Sequence, residues 1–157
     1  MSEAINQAKL AMGLTSPNPP VGAVLVSDQN KIIGTGHTQA YGKNHAEIEA
    51  IKSSSGNIQN STLYTTLEPC NIEINTPACT KEIIKNKIKH VIIGSIDPNP
   101  KINGRGIKIL EDKGITTEIF KYNETLESTL ESYKYFVKYH KPFITVKYAM
   151  SLDGKIA

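Results

Sequence analysis

His45-Ala46-Glu47, Pro69-Cys70 and Cys79 constrain this chain more than any other feature. One imidazole and two thiols are the donor set of a hydrolytic zinc site that leaves a fourth position open for water. A glutamate separated from the histidine by one residue can then carry protons without being a ligand. One helix is expected to begin at His45, and a second to begin with Cys79 in its first turn and Cys70 just before it. A shared metal therefore requires two helix N-termini to point at one spot. Their partial positive charge favours thiolates over thiols. With only two anionic ligands, bound Zn²⁺ keeps its Lewis acidity and brings the pKa of water towards neutrality.

Each residue also has a plain structural use. His45 can cap a helix, Glu47 suits a first helical turn, and the cysteines can fill a core. A Cys70–Cys79 disulfide is the competing pairing. The cytosolic placement expected for this chain, together with the upstream His45-Ala46-Glu47, favours metal ligation. No signal-peptide core follows Met1-Ser2-Glu3-Ala4, and the longest uncharged apolar runs are strand-sized, so no membrane span is expected.

At 157 residues one domain is expected, burying roughly two-thirds of its unfolded surface. A net charge of +3 is mild, and the lysine-dense stretches 81–89 and 134–141 read as solvated helix faces rather than a nucleic-acid track.

The pattern alternates helix and strand. Residues 2–13 form a helix with Ala4, Ala8, Ala11 and Met12 on one stripe. The three prolines of 15–20 enforce a loop. Val21–Val26 and Lys31–Gly36 read as a hairpin around Ser27-Asp28-Gln29-Asn30. A helix runs from His45 to about Ser53, a strand covers Thr62–Leu67, and a helix starts at Thr76-Pro77. His90–Ile96 is a buried strand, followed by a helix at Gly106–Asp112 and a strand at Thr116–Phe120. The length of that crossover makes the two strands parallel. Residues 124–139 form a helix whose Leu126, Leu130, Tyr133, Phe136 and Val137 read as a core stripe. Phe143–Tyr148 reads as a last strand. The fold class is α/β, with three layers around one mixed sheet.

Taken together, these residues resemble the deaminase domain of the bifunctional riboflavin-biosynthesis deaminase/reductase (RibD-type), within the cytidine deaminase-like superfamily. The resemblance is carried by Pro17-Asn18-Pro19-Pro20-Val21-Gly22, Gly34-Thr35-Gly36, Gly42 before His45-Ala46-Glu47, Thr66-Leu67-Glu68-Pro69-Cys70, Thr76-Pro77-Ala78-Cys79, Asp97-Pro98-Asn99-Pro100 and Gly104-Arg105-Gly106. The eight-residue spacer between the cysteines separates this family from zinc deaminases that use C-x-x-C. The resemblance implies a three-layer α/β/α cytidine deaminase-like fold, with a five-stranded mixed sheet and helices on both faces. It implies one Zn²⁺ per chain held by His45, Cys70 and Cys79, with Glu47 as the catalytic proton carrier. Asn18 would contact the substrate, its carboxamide matching a pyrimidinone edge.

The implied reaction is hydrolytic deamination, at a cyclic amidine C–N bond, of a diaminopyrimidinone bearing ribosylamino 5-phosphate. That places the chain in riboflavin biosynthesis, releasing ammonia in the cytoplasm. The implied partner is this small phosphorylated pyrimidine, with no membrane and no nucleic acid, and a homo-oligomer is compatible. Residues 1–142 would form the deaminase domain. Residues 143–157 would begin a truncated reductase-like domain, and NADP would enter only with a full one, which is not expected for this chain.

The chain departs from the family at its substrate positions. Thr38, Ile72 and Asn75 stand where histidines and a cation are expected, with Ile74 in place of a glycine. Lys43, His37 and Lys101 are candidate replacements for a phosphate partner. The alternatives are a zinc deaminase of another amino-heterocycle or nucleobase, and a degenerate domain that docks a reductase.

Overall fold

In the computed structural model, which describes residues 1–73 and 76–156, ten elements follow one another. They are α1 (Ser2–Ala11), β1 (Gly22–Val26), β2 (Ile32–His37), α2 (Ala46–Lys52), β3 (Thr62–Thr65), α3 (Cys79–Lys85), β4 (His90–Ile93), α4 (Arg105–Glu111), β5 (Thr116–Ile119) and α5 (Glu124–Tyr139). Ile74 and Asn75, two of the departures named above, lie outside the described residues, as does Ala157.

The hairpin forms where expected. Ser27 N–H donates to Lys31 O at 2.8 Å, and Asn30 takes the left-handed conformation at φ 59° that asparagine tolerates in a tight turn. The five strands are ordered β2-β1-β3-β4-β5. β1 is antiparallel to both neighbours, whereas β3, β4 and β5 are mutually parallel. Gly22-Ala23-Val24-Leu25 is buried throughout, as a strand paired on both edges and covered on both faces must be.

Two glycines show which helix covers which face. A Cβ on Gly22 would strike the backbone of Ala4 and Ala8 in α1. A Cβ on Gly36 would strike the backbone of Ala46 and Ala50 in α2. Gly36 sits opposite Ala23, one residue on from Gly22, so the two glycines project to opposite faces. α1 and α2 therefore cover opposite sides. α5 packs with α1, and α3 and α4 pack in sequence beside α2, completing three layers. Leu25, Leu63, Ile83, Ile88, Val91, Ile93, Leu110, Leu126 and Leu130 fill the interior.

Four expectations are corrected. Phe143–Tyr148 forms no strand: it is exposed, and neither edge strand, β2 nor β5, pairs with it. Its alternation is that of a strand, but alternation alone supplies no hydrogen-bonding edge. Met12 leaves the α1 stripe because the helix ends at Ala11, with Met12 at φ −58°, ψ 129°. α3 begins at Cys79 rather than at Thr76-Pro77. In α5 only Leu126, Thr129 and Leu130 are fully buried, and Phe136 is 47% exposed. α5 itself starts as the sequence suggests, with Asn123 Oδ1 accepting from Leu126 N–H at 3.0 Å as its N-cap.

Gly36→Ala is expected to lower the unfolding free energy by about 2–3 kcal/mol, because its Cβ can be housed only by moving α2 off the sheet. A guanidinium melt with an unshifted midpoint would contradict that packing.

Candidate active site

The site lies where β3 and β4 end and β1 begins, at the C-terminal end of the parallel strands, where loops and helix N-termini converge. His45 is the residue before α2, with extended backbone at φ −78°, ψ 166°, and Glu47 follows in the first turn. Cys70 follows β3 after Leu67-Glu68-Pro69, and Cys79 opens α3. Three loops thus deliver one donor each.

The donors converge as a triangle. Cys70 Sγ and Cys79 Sγ are 3.4 Å apart, and His45 Nδ1 is 3.5 Å from Cys70 Sγ and 3.4 Å from Cys79 Sγ. A tetrahedral zinc with Zn–S of about 2.3 Å and Zn–N of about 2.1 Å has ligand–ligand edges of about 3.6–3.8 Å. The observed edges match to within a few tenths of an ångström. The sulfur separation is far longer than a disulfide bond, and both cysteines are free. Among the described residues this is the one group of three or more His, Cys, Asp or Glu side chains so assembled.

The electrostatics follow from burial and proximity. The Cys70 thiol is drawn down to about 4, chiefly by the hydrogen bond from Cys79, helped by His45 and by Cys79 N–H at 3.3 Å, while burial opposes. The same hydrogen bond, with burial and the negative charges of Glu47 and Cys70, pushes the Cys79 thiol well up. His45 is raised mainly by its hydrogen bond with Cys70. Glu47 is 3% exposed, and burial lifts its carboxyl to about 7.

All four residues stand in or beside one cavity of ≈ 380 Å³, within the range of small-ligand pockets; His45, Glu47 and Cys70 line it. Asn18 lines it too. Its backbone N–H donates to Thr15 O at 2.8 Å and its C=O accepts from Thr15 Oγ1 at 2.9 Å, which holds the loop in place. Thr38 and Ile72 are in the wall as well. The Thr38 hydroxyl is already used by Val21 N–H at 3.3 Å. Of the three candidate cations, Lys43 and Lys101 line the cavity; His37, opposite Gly22 at the end of β2, does not.

Sequence reasoning missed the far wall. Glu68, 3% exposed, accepts from four backbone N–H groups: Gly104 and Gly106 at 2.9 Å, Asp97 at 3.3 Å and Ile107 at 3.4 Å. It thereby caps α4 and holds the 97–104 loop. Asp97 accepts the Tyr133 hydroxyl at 2.9 Å, tying that loop to α5. Burial, reinforced by Asp97, keeps Tyr133 a phenol by raising its pKa. Tyr133, Phe136 and Val137 then line the cavity; Tyr133 also packs against the core as expected, whereas the reading of Phe136 as core is corrected by its 47% exposure. A glutamate between Leu67 and Pro69 at a strand end was the available signal.

Residues 1–95 match the family described as cytidine and deoxycytidylate deaminase zinc-binding region. The diaminohydroxyphosphoribosylamino-pyrimidine deaminase of Buchnera aphidicola subsp. Schizaphis graminum is 49% identical over 119 residues, covering 76% of this chain and 80% of that protein. The chain belongs to the RibD-type deaminase family. The riboflavin biosynthesis protein RibD of Aquifex aeolicus is 40% identical over 157 residues, all of this chain and 44% of that protein. The solved diaminohydroxyphosphoribosylaminopyrimidine deaminase/5-amino-6-(5-phosphoribosylamino)uracil reductase of Thermotoga maritima superposes with a TM-score of 0.91 at 41% identity, over 100% of this chain and 45% of that one. The chain thus spans less than half the length of these two longer family members. No helix among the described residues is long and apolar enough to cross a membrane.

Burial raises the Asp97 carboxyl above its usual value, so the folded protein holds that proton more tightly than the unfolded chain does. Its contribution to stability is full below the unfolded value of about 3.9 and is lost as pH rises through the raised folded value. Asp97→Asn is expected to flatten that part of the stability profile. Thermal melts across the acid range, with wild type and variant falling in parallel, would refute it.

Proposed function

We propose that this chain is a zinc-dependent hydrolase that removes an amino group from a diaminopyrimidinone carrying ribosylamino 5-phosphate. The observation that carries the reading is the 3.4–3.5 Å triangle of His45, Cys70 and Cys79 with a buried Glu47 in the same cavity. The name of the Buchnera relative supplies the substrate class.

His45, Cys70 and Cys79 would hold the metal, which supplies Lewis acidity that makes water deprotonate near neutral pH. Glu47 takes that proton on its carboxylate. Its burial to a pKa of about 7 suits a group that must both accept and return a proton at neutral pH. The hydroxide oxygen bonds the amino-bearing ring carbon as Glu47 gives this proton to the ring nitrogen; Glu47 then takes the hydroxyl proton of that adduct and gives it to the amino group. The ring C–NH₂ bond breaks, oxygen from water remains on the carbon as a carbonyl, and ammonia leaves. Asn18 offers a donor and an acceptor to the pyrimidinone edge. Glu68 and Asp97, held by backbone N–H groups, keep the opposite wall in place. The exposed apolar residues Ile144, Val146 and Tyr148 support reading 143–157 as the opening of a reductase-like unit.

One observation favours a second reading, the same chemistry on an unphosphorylated heterocycle: Ile72 puts an aliphatic side chain in the wall where the family carries an imidazole.

Zinc-loaded protein is expected to release ammonia from the phosphorylated substrate. Glu47→Gln should lower kcat by about 10³-fold with zinc content unchanged. Cys70→Ala should lose zinc as measured by metal analysis. An undiminished rate in the Glu47 variant would remove its role, and no ammonia from wild type would overturn the reading.

A further inference from the structure

The cavity is polarised. Its carboxyl groups are deep: Glu47 and Glu68 are each 3% exposed and Asp97 2%. Its ammonium groups are at the mouth. Lys43 and Lys101 are both exposed and line the cavity, and they are its only Lys or Arg residues among those described. Among the described residues neither is ion-paired; the pairs formed there are Lys81–Glu73, Lys85–Glu82, Lys134–Glu127 and Lys155–Asp153.

The two lysines stand on built supports. Lys101 N–H donates to Asn99 Oδ1 at 3.0 Å, Asn99 N–H to Asp97 Oδ1 at 2.8 Å, and Ile102 N–H to Asn99 O at 2.8 Å. The neighbouring Ile102 is buried, and Glu68 anchors both ends of this loop. Lys43 lies in a turn closed by its own N–H to Ala40 O at 2.9 Å and by Gln39 N–H to Asn44 O at 3.0 Å.

From this arrangement we infer that Lys101 and Lys43 form the phosphate subsite of this chain, Lys101 being the fixed anchor. The inference rests on the substrate reading above and adds its orientation. A phosphate monoester is close to a dianion at neutral pH. It is repelled by a floor of carboxyl groups and attracted by an ammonium rim, so the ring enters towards His45 and Glu47 and the ribose phosphate stays at the mouth. Ile72 contributes packing against the sugar rather than charge.

The test measures ammonia release by zinc-loaded protein from the phosphorylated diaminopyrimidinone ribosylamine and from its dephosphorylated form. The variants are Lys101→Ala, Lys43→Ala, the double variant and Lys101→Arg. Lys121→Ala, an exposed lysine outside the cavity, controls for net charge. Each single alanine is expected to raise KM for the phosphorylated compound by about tenfold, the double variant by more, and Lys101→Arg by little. The preference for the phosphorylated compound should fall in parallel. Added salt should raise the wild-type KM for that compound and have less effect on the double variant. A double variant that keeps the wild-type preference overturns the subsite. Equal turnover of both compounds by wild type overturns it too, while leaving the deaminase reading standing. No ammonia from either compound overturns both.

Discussion

The Glu68 carboxylate joins the two halves of this pocket. It lies two residues before Cys70, so one strand end carries both a metal-ligand candidate and the anchor for the opposite wall. An ionised carboxylate buried without partners would cost many kcal/mol. Four backbone N–H groups offset that cost, and all come from the 97–107 segment. Charge-assisted bonds of this kind are about twice as strong as neutral ones. Gly106 is required beside it, since a Cβ there would strike the Pro69 carbonyl. Moving the loop would therefore strand the carboxylate, and moving the carboxylate would disturb Pro69 and Cys70.

This arrangement explains how a site of reactive groups stays in register. The donor triangle is assembled from a pre-helical residue, a strand exit and a helix start, none of which is rigid alone. α2 is pressed against the sheet through Gly36, and β3 is fixed by Thr66 Oγ1 accepting from Gly22 N–H at 3.0 Å. α5 is held to the same edge by Tyr133 and Asp97. Its aromatic face can then serve as a pocket wall without being buried in the core.

The regular elements were legible because their periods are unambiguous. The β1–β2 hairpin, the parallel β4–β5 pair and the bounds of α5 follow from turn chemistry, crossover length and an apolar stripe at helical spacing. His45, Glu47, Cys70 and Cys79 were legible because their side-chain chemistry has few other joint uses. The far wall was not. Tyr133, Phe136 and Val137 recur at helical spacing, and a stripe facing a cavity has the same period as one facing a core. Phe143–Tyr148 carries a strand pattern, but pairing is a property of the neighbour, which a single segment does not encode. Lys43, His37 and Lys101 looked equivalent as cations. Only the fold separates the two at the cavity mouth from the one at the end of β2.

The cysteine spacing has a geometric meaning beyond family membership. The two sulfurs are 3.4 Å apart although nine positions separate them in the chain. Eight residues stand between the cysteines; among those described, 71–73 follow Cys70 and 76–78 precede Cys79. Ile72 and Thr76, from the outgoing and returning limbs, both line the cavity. A two-residue spacer keeps its intervening residues within one tight turn at the metal and has no such limbs to lend. The longer spacer lends Ile72 and Thr76 to the pocket wall. The side chain at position 72 can change what enters while leaving the donor triangle intact. In this chain Ile72 on one wall faces a cavity whose described lysines, Lys43 and Lys101, stand on loops held by the turn before α2 and by Glu68.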